Sequence, residues 1–189
     1  MKFGLVVLIC ATGAMLLFLG HRLVSADPSI AFLGDSITQG WSYPSANFGI
    51  HGETTGQMLS REPAILSEHR YRILVLLGGT NDTMLHIHSD QTIRNLEELG
   101  EAAVQQGAQP VLCEIPPIFH SYNPKDTNNY MPEVVELNRK IAALAAAHHW
   151  PLVDYYSPLL HHPAYLSDGV HMKQRGYVLM ELALLRRLY

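Results

Sequence analysis

Short apolar runs alternate with amphipathic stretches along the chain, and this alternation is the feature that most restricts its fold. The runs border Gly or Pro residues and cover residues 30–33, 73–77, 111–115 and 152–154. Runs of this length that are bounded by helix breakers predict strands buried on both faces. A weaker strand is predicted at residues 47–50.

The stretches between the runs have the apolar periodicity of helices. One pattern begins after Asp90, which we interpret as an N-cap, and continues to Val104. Another follows Pro132, a residue suited to a first helical turn, and the segment 174–188 predicts a packed terminal helix. Strands that alternate with helices predict an α/β fold whose parallel sheet is covered on both faces. Ligands of such sheets bind beyond the carboxyl ends of the strands, so the polar residues that follow the runs are the functional candidates.

The composition excludes several classes of protein. With 189 residues, of which 48% are hydrophobic, the chain suits one compact domain. The net charge is −4 and the positive residues are scattered, so we expect no nucleic-acid partner. Cys10 and Cys113 are too few for a disulfide framework or a cysteine-based metal site.

An uncharged apolar segment from Phe3 to Leu19 opens the chain, and Val24-Ser25-Ala26 then resembles a signal-peptidase site. Residues 1–26 are therefore predicted to be a signal peptide or an uncleaved membrane anchor, since the segment's length lies between those of the two. Both interpretations predict export to the periplasm or the extracellular space. Residues 27–189 form the predicted working domain, which contacts a membrane only through an uncleaved anchor.

Polar clusters follow the predicted strands. Ser36 lies in the turn G-D-S-I, where its hydroxyl is expected to point out of the sheet beside unpaired backbone N–H groups. Gly52 lies in the string H-G-E-T-T, and Asn81 lies in G-G-T-N-D after the strongest strand. Asp168 and His171 form a D-x-x-H loop before the terminal helix. Alone, each cluster is also typical of an ordinary turn or helix cap.

Together, the order and spacing of these clusters resemble the SGNH hydrolase family, also called GDSL esterases and lipases. The four letters of the name correspond to Ser36, Gly52, Asn81 and His171. The first motif reads GDSI instead of GDSL, and His51 stands where many relatives have serine. The resemblance covers the chain from about residue 30 to the terminal helix. It implies a flavodoxin-like, three-layer α/β/α fold with a five-stranded parallel sheet, and serine-dependent ester hydrolysis without a metal or another cofactor.

The catalytic roles follow from the chemistry of the matched residues. His171 is predicted to remove the proton of Ser36 during attack on an ester carbonyl, because a free serine is a poor nucleophile. Asp168 is predicted to fix the tautomer of His171 and to stabilise its imidazolium. The backbone N–H groups of Ser36 and Gly52, together with the Asn81 amide, form the predicted oxyanion hole.

Further polar and aromatic residues lie near these motifs. Trp41 and Tyr43 follow the nucleophile turn and are candidates for substrate contact, as is His51, although Trp41 also suits core packing. Asp35 and Asp82 adjoin key residues and are expected to brace the site or to cap helices. The pair of histidines at 86 and 88 is interpreted as ordinary loop histidines and not as metal ligands.

The substrate is predicted from the loop between residues 116 and 129, which is long for a compact domain and follows a strand end. We expect this loop to form a rim of the active site. Its polar and aromatic composition favours hydrolysis of short acyl esters, including O-acetyl groups on an extracellular glycan.

Three alternatives remain open on the sequence alone. The same residues suit a lysophospholipase or thioesterase that acts on longer acyl chains, and they also suit an acyltransferase. A flavodoxin-like module that binds a flavin or another anion is the non-enzymatic alternative, but it leaves Asn81, Asp168 and His171 without a purpose. The oligomeric state is left open.

Overall fold

The computed structural model describes residues 27–121 and 123–189, and the predicted leader lies outside the described residues. A single parallel sheet with the strand order β2-β1-β3-β4-β5 forms the centre of the fold. Its strands are β1 (Ile30–Gly34), β2 (Ala46–Gly49), β3 (Ile73–Leu77), β4 (Gln109–Cys113) and β5 (Leu152–Val153). This order is that of flavodoxin-like folds, so the predicted five-stranded parallel sheet is confirmed.

The strands pack as their sequences require. Every residue of β1 and β3 is buried, and these two strands lie side by side in full register from Ile30 opposite Ile73 to Gly34 opposite Leu77. β2 is one of the two edge strands and is only half-buried, which explains its weaker apolar signal.

Helices connect the strands and cover the sheet. The helices are α1 (Ser36–Gln39), α2 (Thr55–Glu68), α3 (Thr80–Met84), α4 (Ser89–Gln105), α5 (Met131–Ala147), α6 (Tyr156–Leu160) and α7 (Gln174–Leu188). α2 packs against α4 and α4 packs against α5, whereas α6 and α7 pack together and α7 also contacts β5. Within the described part of the chain, none of them combines the length and the apolar character needed to cross a bilayer.

Some predicted boundaries were wrong. β4 covers Gln109–Cys113 instead of the predicted residues 111–115. The predicted start is two residues late because Pro110, which is typical of a strand boundary, lies inside the strand. His88, not Asp90, is the N-cap of α4, and its ring accepts a hydrogen bond from the Asp90 N–H. Asp90 lies inside the first turn, where its carboxylate pairs with Lys140 of α5 at 2.5 Å.

Two carboxyl groups meet where β4 and β5 end. Glu114 donates its backbone N–H to Val153 O at 2.9 Å, and its side chain is hydrogen-bonded to Asp154. Burial, and then the neighbouring carboxyl group, raise the pKa of Glu114 from 4.5 to about 7. Between these values the folded protein binds a proton that the unfolded chain does not hold, so this group's contribution to stability falls as the pH rises from about 4.5 to 7.

We therefore expect Glu114→Gln to remove this pH dependence. When the pH is raised from about 5 to about 7.5, the difference in unfolding free energy between the variant and the wild type should shift in favour of the variant by on the order of 1 kcal/mol. The shift is this small because Glu114 is partly exposed to solvent. Urea unfolding at both pH values measures the gain, with Glu98→Gln on the exposed face of α4 as the control. Equal differences from the wild type at the two pH values would contradict this interpretation.

Candidate active site

Ser36 lies at the carboxyl end of β1, at the position where the chain turns abruptly into α1. The Asp35 side chain caps this helix by accepting the Ile37 N–H at 2.8 Å. A Cβ atom on Gly34 would lie 2.6 Å from the carbonyl oxygen of Leu77, the last residue of β3. Glycine is therefore needed for the turn to pass this close to β3.

The structure brings together the three residues predicted to form a catalytic triad. Ser36 Oγ is 2.9 Å from His171 Nε2, and His171 Nδ1 is 2.7 Å from Asp168 Oδ2. The two ring nitrogens of one imidazole thus link a hydroxyl to a carboxylate across 135 residues of sequence. A serine paired with a base that is oriented by a third group is the arrangement of an activated nucleophile.

Asp168 is held as a carboxylate by hydrogen bonds within its own loop. Its Oδ1 accepts the backbone N–H groups of His171 at 2.8 Å and Val170 at 3.1 Å. Burial would raise the pKa of Asp168, but these bonds and the contact with the His171 ring outweigh it, so the pKa lies below its ordinary value. The carboxylate is therefore charged at neutral pH and able to accept the His171 Nδ1–H.

Gly169 completes this loop through its backbone conformation. It has a φ of +83°, and a Cβ atom there would lie 2.7 Å from the His120 ring. The Phe119 N–H also donates to Gly169 O at 3.0 Å. The segment that begins at residue 116 therefore packs directly on the loop that carries Asp168 and His171, as a rim of the site would.

The three predicted oxyanion donors come from separate elements. Within the described residues, the backbone N–H groups of Ser36 and Gly52 donate no hydrogen bond. Gly52 has a φ of +75° with open space where a Cβ would stand, so its backbone conformation is what requires glycine. Asn81 is 9% exposed and donates one amide hydrogen to Glu53 O at 2.9 Å, which leaves its second hydrogen for a ligand.

Asp82, next to Asn81, has the bracing role expected of it. It is fully buried, and its carboxylate accepts the Thr55 N–H at 3.0 Å and the Thr55 hydroxyl at 2.5 Å. A third bond comes from the Thr92 hydroxyl at 3.2 Å. One carboxylate thus joins α3, α2 and α4 behind the Asn81 amide.

Asp35 is equally buried, directly behind the nucleophile. Burial raises its pKa to about 7, against the lowering effect of the Ile37 N–H and the Thr80 hydroxyl. Its Oδ1 accepts the helix-cap hydrogen bond, while Oδ2 is buried without a hydrogen-bond partner among the described residues, so bracing through the cap describes its position as well.

Trp41 is in the protein core and not at the substrate surface. Its side chain is 2% exposed and packs edge-on against Phe32, with ring centroids 5.5 Å apart, and face-on against Tyr177 at 6.2 Å. The predicted substrate contact is corrected to core packing, because the apolar indole face finds aromatic partners on β1 and α7.

Tyr43 and His51 keep positions compatible with substrate contact. Tyr43 is half-buried, and its hydroxyl is hydrogen-bonded to Gln174 at the start of α7. His51 is exposed, and its ring stacks on that of His171 with centroids 5.9 Å apart and an interplanar angle of 20°. Their roles toward a substrate stay predictions.

Three other histidines, His86, His88 and His148, have contacts outside this site. His86 stacks on Tyr130, with centroids 5.8 Å apart, while His88 caps α4. Among the described residues, the grouping with metal-ligand spacing is His148 with Glu97 and Glu101, whose ligand atoms lie within 4.8 Å of one another. The 2.7 Å contact between His148 Nε2 and Glu97 already accounts for this grouping as a link between α5 and α4.

Two residues near the site were not predicted from the sequence. Glu53 supplies the carbonyl that orients Asn81, and its buried carboxylate pairs with Arg61 of α2 at 2.5 Å. Glu53 and Arg61 are eight residues apart, and this spacing matches no recognisable motif. The burial of Glu53 would have indicated its role, but a polar string such as H-G-E-T-T does not show which of its residues are buried.

Comparison with known proteins relates this geometry to a family. The model of the GDSL-like Lipase/Acylhydrolase family matches residues 32–179. Esterase TesA of Pseudomonas aeruginosa is 29% identical over 150 residues, which are 71% of this chain and 69% of that protein. Thioesterase 1/protease 1/lysophospholipase L1 of Escherichia coli is 31% identical over 119 residues, covering 53% of this chain and only 56% of that protein.

A solved structure agrees over a larger share of the chain. The crystal structure of a GDSL-like lipase from Bacteroides thetaiotaomicron has a TM-score of 0.77 and 26% identity, covering 85% of this chain and 88% of that one. The family match includes all five residues of the proposed triad and oxyanion hole. Membership of a hydrolase family, with the candidate site at the carboxyl ends of β1 and β3, favours an enzyme over a module that only binds a flavin or another anion. The chain belongs to the GDSL-like lipase/acylhydrolase family and is a carboxylic ester hydrolase.

Proposed function

We propose that this protein is a serine esterase that works through an acyl-enzyme intermediate on Ser36. The observation that carries the proposal is the continuous contact from Ser36 Oγ through the His171 ring to Asp168. The Asp168 carboxylate holds Nδ1 protonated, which leaves the lone pair of Nε2 facing the serine hydroxyl.

In the first half of the reaction, Ser36 Oγ attacks the carbonyl carbon while His171 Nε2 takes the hydroxyl proton. The tetrahedral intermediate carries its negative charge on the former carbonyl oxygen, within reach of the N–H donors of Ser36, Gly52 and Asn81. As the intermediate collapses, the bond to the alcohol oxygen breaks. His171 returns the proton to that oxygen, and the acyl group remains on Ser36.

In the second half, water replaces the alcohol. His171 removes a proton from the water as its oxygen attacks the acyl carbon, and the bond to Ser36 Oγ breaks with return of the proton. The same donors stabilise the second oxyanion. Each such donor contributes about 10²–10³-fold to turnover in comparable sites, so loss of the Asn81 amide should be nearly as visible as loss of a triad residue.

We propose short acyl esters as the preferred substrates, including O-acetyl groups on glycans. The supporting observations are the partial exposure of the triad side chains and the polar composition of the loop at residues 116–129. The side chains of His171 and Asp168 are 25% and 38% exposed, and His51 beside them is open to solvent. The predicted export of the protein is consistent with an extracellular glycan and remains part of the proposal.

Hydrolysis of esters or thioesters with longer acyl chains, as by a lysophospholipase or thioesterase, is the second candidate function. The relatives named esterase and thioesterase/lysophospholipase support it, since these names include hydrolysis of acyl groups carried by thiols and lipids. Transfer of the acyl group to an alcohol instead of water would use the same atoms.

Ser36→Ala should abolish ester hydrolysis while leaving the fold intact, because the variant lacks the nucleophile but keeps the backbone of the turn. We expect kcat/KM for p-nitrophenyl acetate to fall by about 10⁴-fold or more. Ser60→Ala on the exposed face of α2 is the control and should match the wild type. Retention of most activity in purified Ser36→Ala would refute the proposed function.

The acyl preference is tested with p-nitrophenyl esters from acetate to palmitate. We expect kcat/KM to be highest for acetate and butyrate, because a polar and solvent-exposed rim offers little apolar surface to a long chain. A maximum at long chains would replace our preferred substrate class with the lysophospholipase or thioesterase alternative.

A further inference from the structure

One arginine of α2 is bonded to three separate segments behind the oxyanion hole. Arg61 Nε donates to Glu53 Oε1 at 2.6 Å, and Nη2 donates to Glu53 Oε2 at 2.5 Å. Nη2 also donates to Phe48 O of β2 at 2.5 Å and lies 3.4 Å from Gly34 O at the end of β1. The guanidinium therefore joins the turn after β2 to the ends of the two strands that precede Ser36 and Gly52.

Glu53 transmits this connection to two oxyanion donors. It directly follows Gly52, and its own N–H closes the turn by donating to Ile50 O at 3.3 Å. Its carbonyl oxygen accepts the Asn81 amide at 2.9 Å. The position of one residue thus determines both where the Gly52 N–H lies and how the Asn81 amide is rotated.

We propose that Arg61 and Glu53 are positioning residues that hold the oxyanion hole in its donating geometry. The inference rests on the proposed function, since it concerns the same hole. It adds that the orientation of Asn81 and Gly52 depends on an ion pair that does not touch the substrate. Arg61 is partly buried and Glu53 nearly fully so, with side chains 22% and 7% exposed.

The chemistry of the contact requires arginine. Two parallel N–H···O bonds to one carboxylate and a further bond to a carbonyl need the planar fork of a guanidinium. A lysine at this position offers one compact ammonium, which cannot span the same three acceptors. Without a cation, Glu53 would hold a buried unpaired charge, and the turn would shift to expose it to water.

A purely structural role is the competing explanation. Asp82 already ties the start of α2 to α3 through Thr55, and that contact alone would keep the turn near Asn81 if Arg61 were dispensable. The two explanations differ in what Arg61 replacement does to turnover in protein that remains folded.

The test compares Arg61→Met, Arg61→Lys and Glu53→Gln with the wild type, using p-nitrophenyl acetate well below the melting temperature of every variant. We expect kcat to fall by about 10–100-fold in Arg61→Met with KM within about threefold, since small misplacements of catalytic groups have costs of this order. Arg61→Lys should lose less, and Glu53→Gln should show the same kcat-selective loss. Arg139→Met removes an exposed ion pair with Glu136 on α5 and should leave both constants unchanged.

A double-variant comparison distinguishes positioning from general loosening. If Arg61 acts through the oxyanion donors, adding Arg61→Met to Asn81→Ala should reduce kcat by less than the product of the two single losses. Multiplicative losses would contradict the proposal, as would a kcat within twofold of the wild type in both Glu53→Gln and Arg61→Lys. If Arg61→Met fails to fold, the Glu53→Gln and Arg61→Lys variants decide the question.

Ser36→Ala is assayed alongside to separate this inference from the proposed function. Activity in Ser36→Ala would overturn the proposed function. Loss of activity in Ser36→Ala together with unaffected Arg61 and Glu53 variants would overturn this inference alone.

Discussion

The pairing of β1 with β3 is the interaction on which the rest of the structure depends. All ten residues are buried, and the strands run in register to Gly34 and Leu77. Burial of each large aliphatic side chain there contributes about 1.5–3 kcal/mol, so this pair is a rigid reference for whatever follows it. Ser36 follows one strand end and Asn81 follows the other. The nucleophile and an oxyanion donor are consequently placed by the core itself, without a long loop between them and the sheet.

The remaining functional groups lie on loops and are held by polar contacts. The loop of His171 is fixed by the bonds that Asp168 accepts from its backbone and by the packing of His120 on Gly169. The turn at Gly52 is closed by the Glu53 N–H on Ile50 O, and the ion pair of Glu53 with Arg61 ties this turn to α2. The Glu53 carboxylate is buried, so its bonds to Arg61 are shielded from water, whereas Asp168 is partly exposed and is held by several bonds within its own loop. The site therefore combines rigid strand ends with loops that need specific partners.

Sequence patterns predicted those parts of the molecule that depend on local order. The sheet, its parallel direction and the strand at 73–77 follow from apolar runs and breakers, and the proximity of Ser36 to His171 follows from the resemblance. The errors have a common origin in contacts between distant segments. Substrate contact and core packing both suited Trp41 on the sequence, because the aromatic partners that place it in the core are remote along the chain. Asp90 lies in the first turn and pairs with Lys140, and His88 is the N-cap in its place. Arg61 was overlooked because a helical arginine usually faces solvent.

The central claim is that Ser36 is a nucleophile activated by His171. Its most direct test is covalent labelling with a fluorophosphonate, followed by peptide mass spectrometry of the wild type and of His171→Ala. We predict one phosphonyl adduct per chain, located on Ser36 in the wild type and formed far more slowly in His171→Ala, because the probe reacts with an activated serine hydroxyl. An adduct on another residue, or labelling of Ser36 at an equal rate without the histidine, would contradict the claim.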